Sequence, residues 1–424
     1  MSEGNAMSIR IIKIINDIIK NDHELQEFTI IPTEDNTRNK SPVLYEEHNL
    51  GLESWCIKHV YEYACSVLFS QRKQLSRTPH SELEKLNRIL IVAILINPEV
   101  GTFWNMKREL VEKDVLNTDD ELYFSKIVLS HKSKSNEAFA YRRWLLSRIL
   151  NKMAANHMAF PTHFLQAEFQ VVHMASTKCQ NNYHSWNHRI WCMENILTYN
   201  HNISQIVYSE LNYSQEWINE HVSEHTGYHY RQYLIKLVKE HKRIVSIYES
   251  FYNFVVKSLL KTSNDGDWRN LLDYLLGKPN RTRLLEETCS YVNYISILLY
   301  DLFILIDQIN EIYPEHEALY SHRKFLIHHL LKAPHDYHGS EFKSKFNSEI
   351  LQLADGRNVT DSGAPDRSTK PDPSDNKLKM SVKQDDYVLY EILSTCERNF
   401  AAKNSNSMQL GRYRKWSKHV MGFE

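Results

Sequence analysis

The sequence predicts an all-α protein, a solenoid of stacked antiparallel helix pairs, and three observations predict it. Glycine and proline number only 11 each in 424 residues, well below their usual shares of about 7% and 5%, so turn-formers are scarce. Apolar residues recur three and four positions apart, the spacing of one helix face. A short phrase also returns along the chain. It runs Asn182-Tyr183-His184-Ser185-Trp186-Asn187-His188-Arg189-Ile190-Trp191 in its fullest copy. Each copy sets an aromatic residue three positions before a cation: Trp104 and Lys107, Phe139 and Arg142, Trp186 and Arg189, Tyr228 and Arg231, Tyr320 and Arg323. The cations are 35, 47, 42 and 92 residues apart. Periods of about 34 to 47 belong to helix-pair repeats, in which each unit buries its apolar face only against its neighbours.

Residues 1–80 read as a less regular lead-in. Ile9–Ile19 and Glu53–Phe69 are expected to be helical, and Thr33–Asn49 is polar and turn-rich. Residues 81–353 are the expected repeat array. Leu83, Leu86, Leu90 and Ile94 form one stripe over Ser81–Ile96. Asn97-Pro98 ends that helix, and Pro98 is suited to opening the next, where its missing N–H is not needed. Helices are then expected at Pro98–Lys113, Asp119–His131, Asn136–Ala154, Thr162–Ser176, Tyr183–Tyr199, Ser204–Glu224 and Gly227–Lys242. The second helix of each pair begins with the phrase. The 92-residue step leaves two readings of Val245–Gly277: a unit whose phrase has decayed, or an insertion. Residues 354–384 contain almost nothing apolar and are expected to be disordered, since they bury too little surface to offset the entropy of ordering. Residues 385–424 return to helix as a cap, where Tyr413-Arg414-Lys415-Trp416 echoes the phrase.

Charge is balanced, with 51 basic and 52 acidic residues, which gives no electrostatic footprint for nucleic acid or an anionic membrane. The six cysteines form no Cys-x-x-Cys pair and no zinc-finger spacing with histidine. They read as free thiols of a reducing compartment, and a cytoplasmic location is expected. Met1–Arg10 lacks the apolar core of a signal peptide. Tyr291–Ile309 is the most apolar stretch, but Asn293, Asp301 and Asp307 interrupt it, so a buried helix is expected rather than a membrane span.

The phrase has a packing explanation. Trp186 and Ile190 share one helix face, Arg189 can reach a carboxylate or carbonyl beside it, and Asn182 suits the helix start. The turn residues Asn181, Tyr183 and His184 remain to face a partner or ligand. His184 and His188 stand one turn apart, yet no His-Glu-x-x-His pattern or third ligand accompanies them, and no metal site is expected. No glycine-rich phosphate loop and no Gly-x-Ser-x-Gly elbow occurs.

The phrase at Asn182–Arg189 resembles the Asn-Tyr-His-x-Trp-x-x-Arg repeat of protein prenyltransferase α-subunits, and Trp104-Asn105-Met106-Lys107-Arg108, after Asn97-Pro98, resembles the family's opening unit. The resemblance covers roughly Ser81–Leu331. It implies a crescent-shaped solenoid wrapped around a β-subunit, the one shared with Rab geranylgeranyltransferase. That partner would hold the zinc and the isoprenoid diphosphate; no cofactor is expected in this chain. The implied chemistry is geranylgeranyl transfer to a C-terminal cysteine of a protein substrate, such as a SNARE. Tyr183 matches a family tyrosine near the diphosphate. The family places a lysine immediately before Asn-Tyr, and here that position is Asn181, with Lys178 three residues earlier. Phe139, Tyr228 and Tyr320 replace the usual tryptophan. The competing expectation is a non-catalytic helical-repeat scaffold for protein–protein interaction. A tetratricopeptide-like peptide binder is disfavoured by the uneven 35–47–42 stepping.

Overall fold

The computed structural model describes residues 3–34, 39, 41–156, 158, 162–196, 202–241, 244, 251–262, 266–276, 286–337 and 387–422. Residues 354–384 lie outside this set. The chain is predominantly helical and divides into two compact units, Met1–His201 and Asn202–Glu424.

The first unit opens with helix α1 (Glu3–Asn21), a three-stranded sheet of β1 (Glu27–Ile31), β2 (Val43–Glu46) and β3 (Asn49–Glu53), and helix α2 (Ser54–Gln71). The sheet order is β1-β3-β2, with β1 parallel and β2 antiparallel to β3. The sheet corrects the expectation of a turn-rich Thr33–Asn49. Its hairpin turn is Glu47-His48, both at positive φ (43° and 64°). A two-residue turn of this hand normally announces itself as Asn-Gly or Asp-Gly, and Glu-His carries no such signal. Phe28, Leu50 and Leu52 of the sheet are buried with Ile11 and Ile15 of α1 in the unit's core.

The helix pairs follow as α3 (His80–Ile96) with α4 (Gly101–Glu112), α5 (Thr118–His131) with α6 (Asn136–Ala155), and α7 (Thr162–Lys178) with α8 (Tyr183–Ile196). Pro98 does not open α4. It sits in the turn before it, where its carbonyl accepts from Trp104 Nε1 at 2.7 Å. Side-chain caps fix the starts of three of these helices: Asn117 for α5, Ser135 for α6 and Asn182 for α8.

The second unit holds α9 (Ile203–Glu220) with α10 (His225–Glu240), then α11 (Phe251–Thr262), α12 (Asp267–Leu276) and α13 (Glu286–Tyr300). A π-helical turn at Asp301–Leu305 carries α13 into α14 (Ile306–Ile312). Helix α15 (Glu317–Tyr337), α16 (Tyr387–Lys403) and α17 (Met408–Trp416) complete it. Ser290–Ile312 is long and apolar enough to cross a membrane, but 78% of that window is buried inside the protein, and it carries the fully buried Asp301. It is the core helix of this unit, as its interrupting polar residues led us to expect.

Candidate functional site

The phrase residues are interior. Trp104, Phe139, Trp186, Tyr228 and Tyr320 are all buried, as are Lys107, Arg142, Arg189, Arg231 and Arg323. A buried cation needs a carboxylate, and one repeating solution supplies it. Arg142 on α6 donates through Nε and Nη2 to the two oxygens of Glu168 on α7, at 2.6 and 2.7 Å. Glu168 Oε2 also bonds His188 Nε2 at 2.8 Å. Arg231 on α10 does the same with Asp301 at 2.7 and 2.6 Å, and Asp301 bonds His322 at 2.9 Å. Lys107 reaches Glu121 at 2.8 Å, and Glu121 accepts from the Tyr141 hydroxyl at 2.8 Å. Arg323 donates to Glu397 at 3.1 and 2.8 Å, and Glu397 accepts from Tyr413 at 2.6 Å.

A rule emerges from these four clusters. The cation of one copy pairs with a carboxylate on the first helix of the next pair. That carboxylate also bonds the Tyr or His immediately before the next copy's own cation. The aromatic three residues before the cation packs on this same Tyr or His: Trp104 on Tyr141 (4.8 Å between ring centres), Phe139 on His188 (5.3 Å), Tyr228 on His322 (5.6 Å) and Tyr320 on Tyr413 (5.8 Å). The third guanidinium nitrogen is satisfied alike: Arg142 Nη1 by Leu122 O and Ser125 Oγ, Arg231 Nη1 by Leu211 O and Ser214 Oγ. Glu210 accepts from Tyr230 in the same register, and Arg189 donates to Phe169 O at 3.3 Å and lies over the Phe169 ring.

Two consequences follow for the sequence reading. Arg231 finds its acid on Asp301, beyond α11 and α12, so these helices are an insertion and not a repeat unit with a decayed phrase. Tyr413 completes the Arg323 cluster, so α16 and α17 form a sixth helix pair in the same register. The carboxylates themselves went unread. For Glu121, Glu168 and Glu210 the signal is a Glu placed 20 residues before Tyr141, His188 and Tyr230, whereas Asp301 and Glu397 stand 21 and 16 residues before His322 and Tyr413.

Electrostatics agrees with a packing role. Burial alone would raise the Glu168 carboxyl, but the Arg142 charge and the His188 and Arg142 hydrogen bonds outweigh it and hold it down at about 2. Asp301 is lowered by Arg231 and His322 against the same burial. Burial lowers His188 despite Glu168 and keeps it neutral at pH 7. Glu168, His188 and Cys192 offer ligand atoms within 4.8 Å of one another. They do not suit a metal ion: both Glu168 oxygens are held by Arg142, and burial raises the Cys192 thiol well above its ordinary value. The Asp301–His322 cluster repeats the arrangement with Leu326 where Cys192 stands. His184, the other member of the His pair, is partly exposed and outside the trio.

The exposed chemistry is at the α7–α8 turn. Asn181 takes a left-handed conformation (φ 52°). Asn182 is fully buried; its Nδ2 donates to Ser133 O at 2.7 Å and Ala175 O at 3.1 Å, while Oδ1 caps Ser185 N. This anchoring leaves Tyr183, the first residue of α8, 59% exposed. Lys178 is tied to Glu27 and to Ser130 O, each at 2.8 Å. The Asn182–Ser133 bond joins this turn to the α5–α6 turn, where Lys132 and Lys134 are exposed. Lys134 immediately precedes the cap Ser135, as Asn181 immediately precedes the cap Asn182.

The model of the protein prenyltransferase alpha subunit repeat matches residues 118–149 and 165–196, which are the α5–α6 and α7–α8 pairs. Protein prenyltransferase alpha subunit repeat-containing protein 1 of Homo sapiens is 28% identical over 96% of this chain and 95% of its own length. The Danio rerio protein of that name is 28% identical over 84% and 82%. Geranylgeranyl transferase type-2 subunit alpha of Rattus norvegicus is 25% identical over 42% of this chain and 29% of its own. The chain carries two matches to the protein prenyltransferase alpha subunit repeat and is similar along most of its length to the repeat-containing protein 1 group.

Proposed function

We propose that this chain is the α-subunit of a heterodimeric protein prenyltransferase that attaches a geranylgeranyl group to a C-terminal cysteine of a protein, such as a SNARE. The observation that carries the reading is the α7–α8 turn: Asn182 is buried as an anchor and Tyr183 is held outward at 59% exposure, on a chain whose recurrent aromatic and cation positions are committed to packing. The similarity to geranylgeranyl transferase type-2 subunit alpha supports the choice of lipid. The partner would be a prenyltransferase β-subunit, the one shared with Rab geranylgeranyltransferase. Zinc, which would activate the cysteine thiolate, and the isoprenoid diphosphate would both be bound there.

Within this reading the Tyr183 hydroxyl donates to an oxygen of the departing pyrophosphate. A cation must share that role, and Asn181 cannot. Lys134 takes it, since it occupies the corresponding position one unit earlier and the two turns are joined through Asn182 and Ser133. The test is single-turnover transfer by the purified heterodimer. Lys134→Ala and Tyr183→Phe are expected to lower the rate about ten-fold or more with the heterodimer intact; unchanged rates would remove the turn from the chemistry.

One observation favours a second reading, a non-catalytic scaffold. Lys178, a cation on the turn that carries Asn181, is already engaged by Glu27 and Ser130 O. Reconstitution with a β-subunit, geranylgeranyl diphosphate and a panel of cysteine-tailed proteins separates the two. Absence of transfer to every protein would favour the scaffold.

A further inference from the structure

The last helix pair departs from the balanced charge of the chain. Between Ala402 and Gly422 there are five Lys and Arg residues and no Asp or Glu. The structure sorts them onto one side. On α17 and the π-helical turn Ser417–Met421 that continues it, Leu410, Tyr413 and Ser417 are buried, at helical spacing. Met408, Arg412, Lys415 and His419, spaced by four, three and four, are exposed on the opposite side. Arg414 and Lys418 flank that stripe and are also exposed. Among the described residues, none of Arg412, Arg414, Lys415 and Lys418 forms an ion pair. One exposed acid, Glu315, stands at the helix start, accepting from Met408 N and Gln409 N at 2.8 and 3.2 Å, and no acid lies along the rest of the segment. Lys324 of α15 adds a further cation beside the Trp416 ring.

Two large apolar side chains of the same segment are exposed. Met408 is 84% exposed and Val420 is 54% exposed, one at each end of the basic stripe. Unpaired cations attract an acidic surface, and exposed apolar chains among them favour one with a hydrocarbon layer beneath the charge. That is the composition of a helix that lies in a membrane interface. An acidic protein would match the cations and leave Met408 and Val420 without a reason to be exposed.

We infer that the C-terminal helix pair docks on the surface of a membrane containing anionic phospholipid, through Arg412, Arg414, Lys415 and Lys418 with Met408 and Val420 inserted at the headgroup level. This is independent of any transferase activity. It would hold the chain where a lipid-modified protein resides.

The experiment is flotation of the full chain with vesicles of phosphatidylcholine alone or with about 30% phosphatidylserine. The wild type is expected to float with the anionic vesicles only, and to be released by 0.5 M salt, which shortens the screening length to a few ångströms. Each cation near the surface contributes about five-fold in partitioning, so Arg412→Ala with Lys415→Ala is expected to lower it about thirty-fold. Both side chains are exposed, and an unchanged melting temperature checks that the variant is folded. A second variant, Met408→Ser with Val420→Ser, keeps the charge and is expected to weaken flotation while leaving its salt dependence. Failure of the wild type to float, or flotation of the Arg412/Lys415 variant equal to wild type, overturns the inference. Capture by a poly-glutamate peptide without flotation would assign the surface to an acidic protein and overturn it as well.

Discussion

Replacing Glu168 with glutamine tests the repeating ion-pair cluster most sharply. The side chain keeps its volume and an acceptor, but the charge facing Arg142 is lost. Arg142 is buried, with no water to turn to. Removing one partner of such a pair costs about 3–5 kcal/mol. The carboxylate's lowered pKa points the same way. Glu168 is held at about 2 against an ordinary 4.5, so the folded state favours its charged form. Against a typical domain stability of about 5–15 kcal/mol this is a large loss. Urea denaturation followed by tryptophan fluorescence and circular dichroism reads it. The companion is the double variant Arg142→Met with Glu168→Met, in which no charge is left unpaired. It is expected to recover most of the loss, since buried pairs exchanged for apolar side chains are often near neutral. A Glu168→Gln cost below about 1 kcal/mol, or a double variant as unstable as the two single changes summed, would refute the pairing as a desolvated, coupled unit.

The remaining predictions use the same contacts. Because the folded carboxyl of Glu168 titrates below its unfolded value, its contribution is complete above about pH 4.5 and is lost as pH falls toward about 2; in an acid titration of stability, Glu168→Gln should flatten that segment of the curve. Trp186→Ala empties a buried site and should cost about 3–5 kcal/mol in urea unfolding. Tyr413→Phe removes the hydroxyl donated to Glu397 and should cost about 1–2 kcal/mol, whereas no cost would detach α17 from the repeat register. Asn181→Lys should raise the transfer rate if the α7–α8 turn faces the pyrophosphate, with no change expected of a turn that lies elsewhere.

The repeat was legible because its packing rule is written in large side chains at fixed spacing. Trp104, Phe139 and Trp186 and their cations stand out in any sequence, and the helices around them follow within a few residues at each end. The acids that complete each cluster were not legible at first sight. Glu121 and Glu168 lie on the preceding helix among other polar residues, and nothing local distinguishes a buried glutamate from a solvated one. For these two, only the recurring separation of 20 residues does so. The β1–β3 sheet escaped for a related reason: its strands are four or five residues long and its turn uses Glu47-His48 in place of a glycine. At the α7–α8 turn the sequence showed Tyr183 and the missing lysine. It did not show that Lys178 is held by Glu27 or that Lys134 lies on the adjoining turn, because both depend on contacts between segments far apart along the chain.

The central claim is that this chain works as the α-subunit of a protein prenyltransferase. The most direct measurement is co-expression with the β-subunit shared with Rab geranylgeranyltransferase, purification of the complex, and intact-mass analysis of cysteine-tailed proteins incubated with it and geranylgeranyl diphosphate. The account predicts a stable one-to-one heterodimer and one added geranylgeranyl group on at least one protein, abolished when its C-terminal cysteine is replaced by serine. A chain that forms no complex with the β-subunit, or a stable complex that modifies none of them, would contradict it.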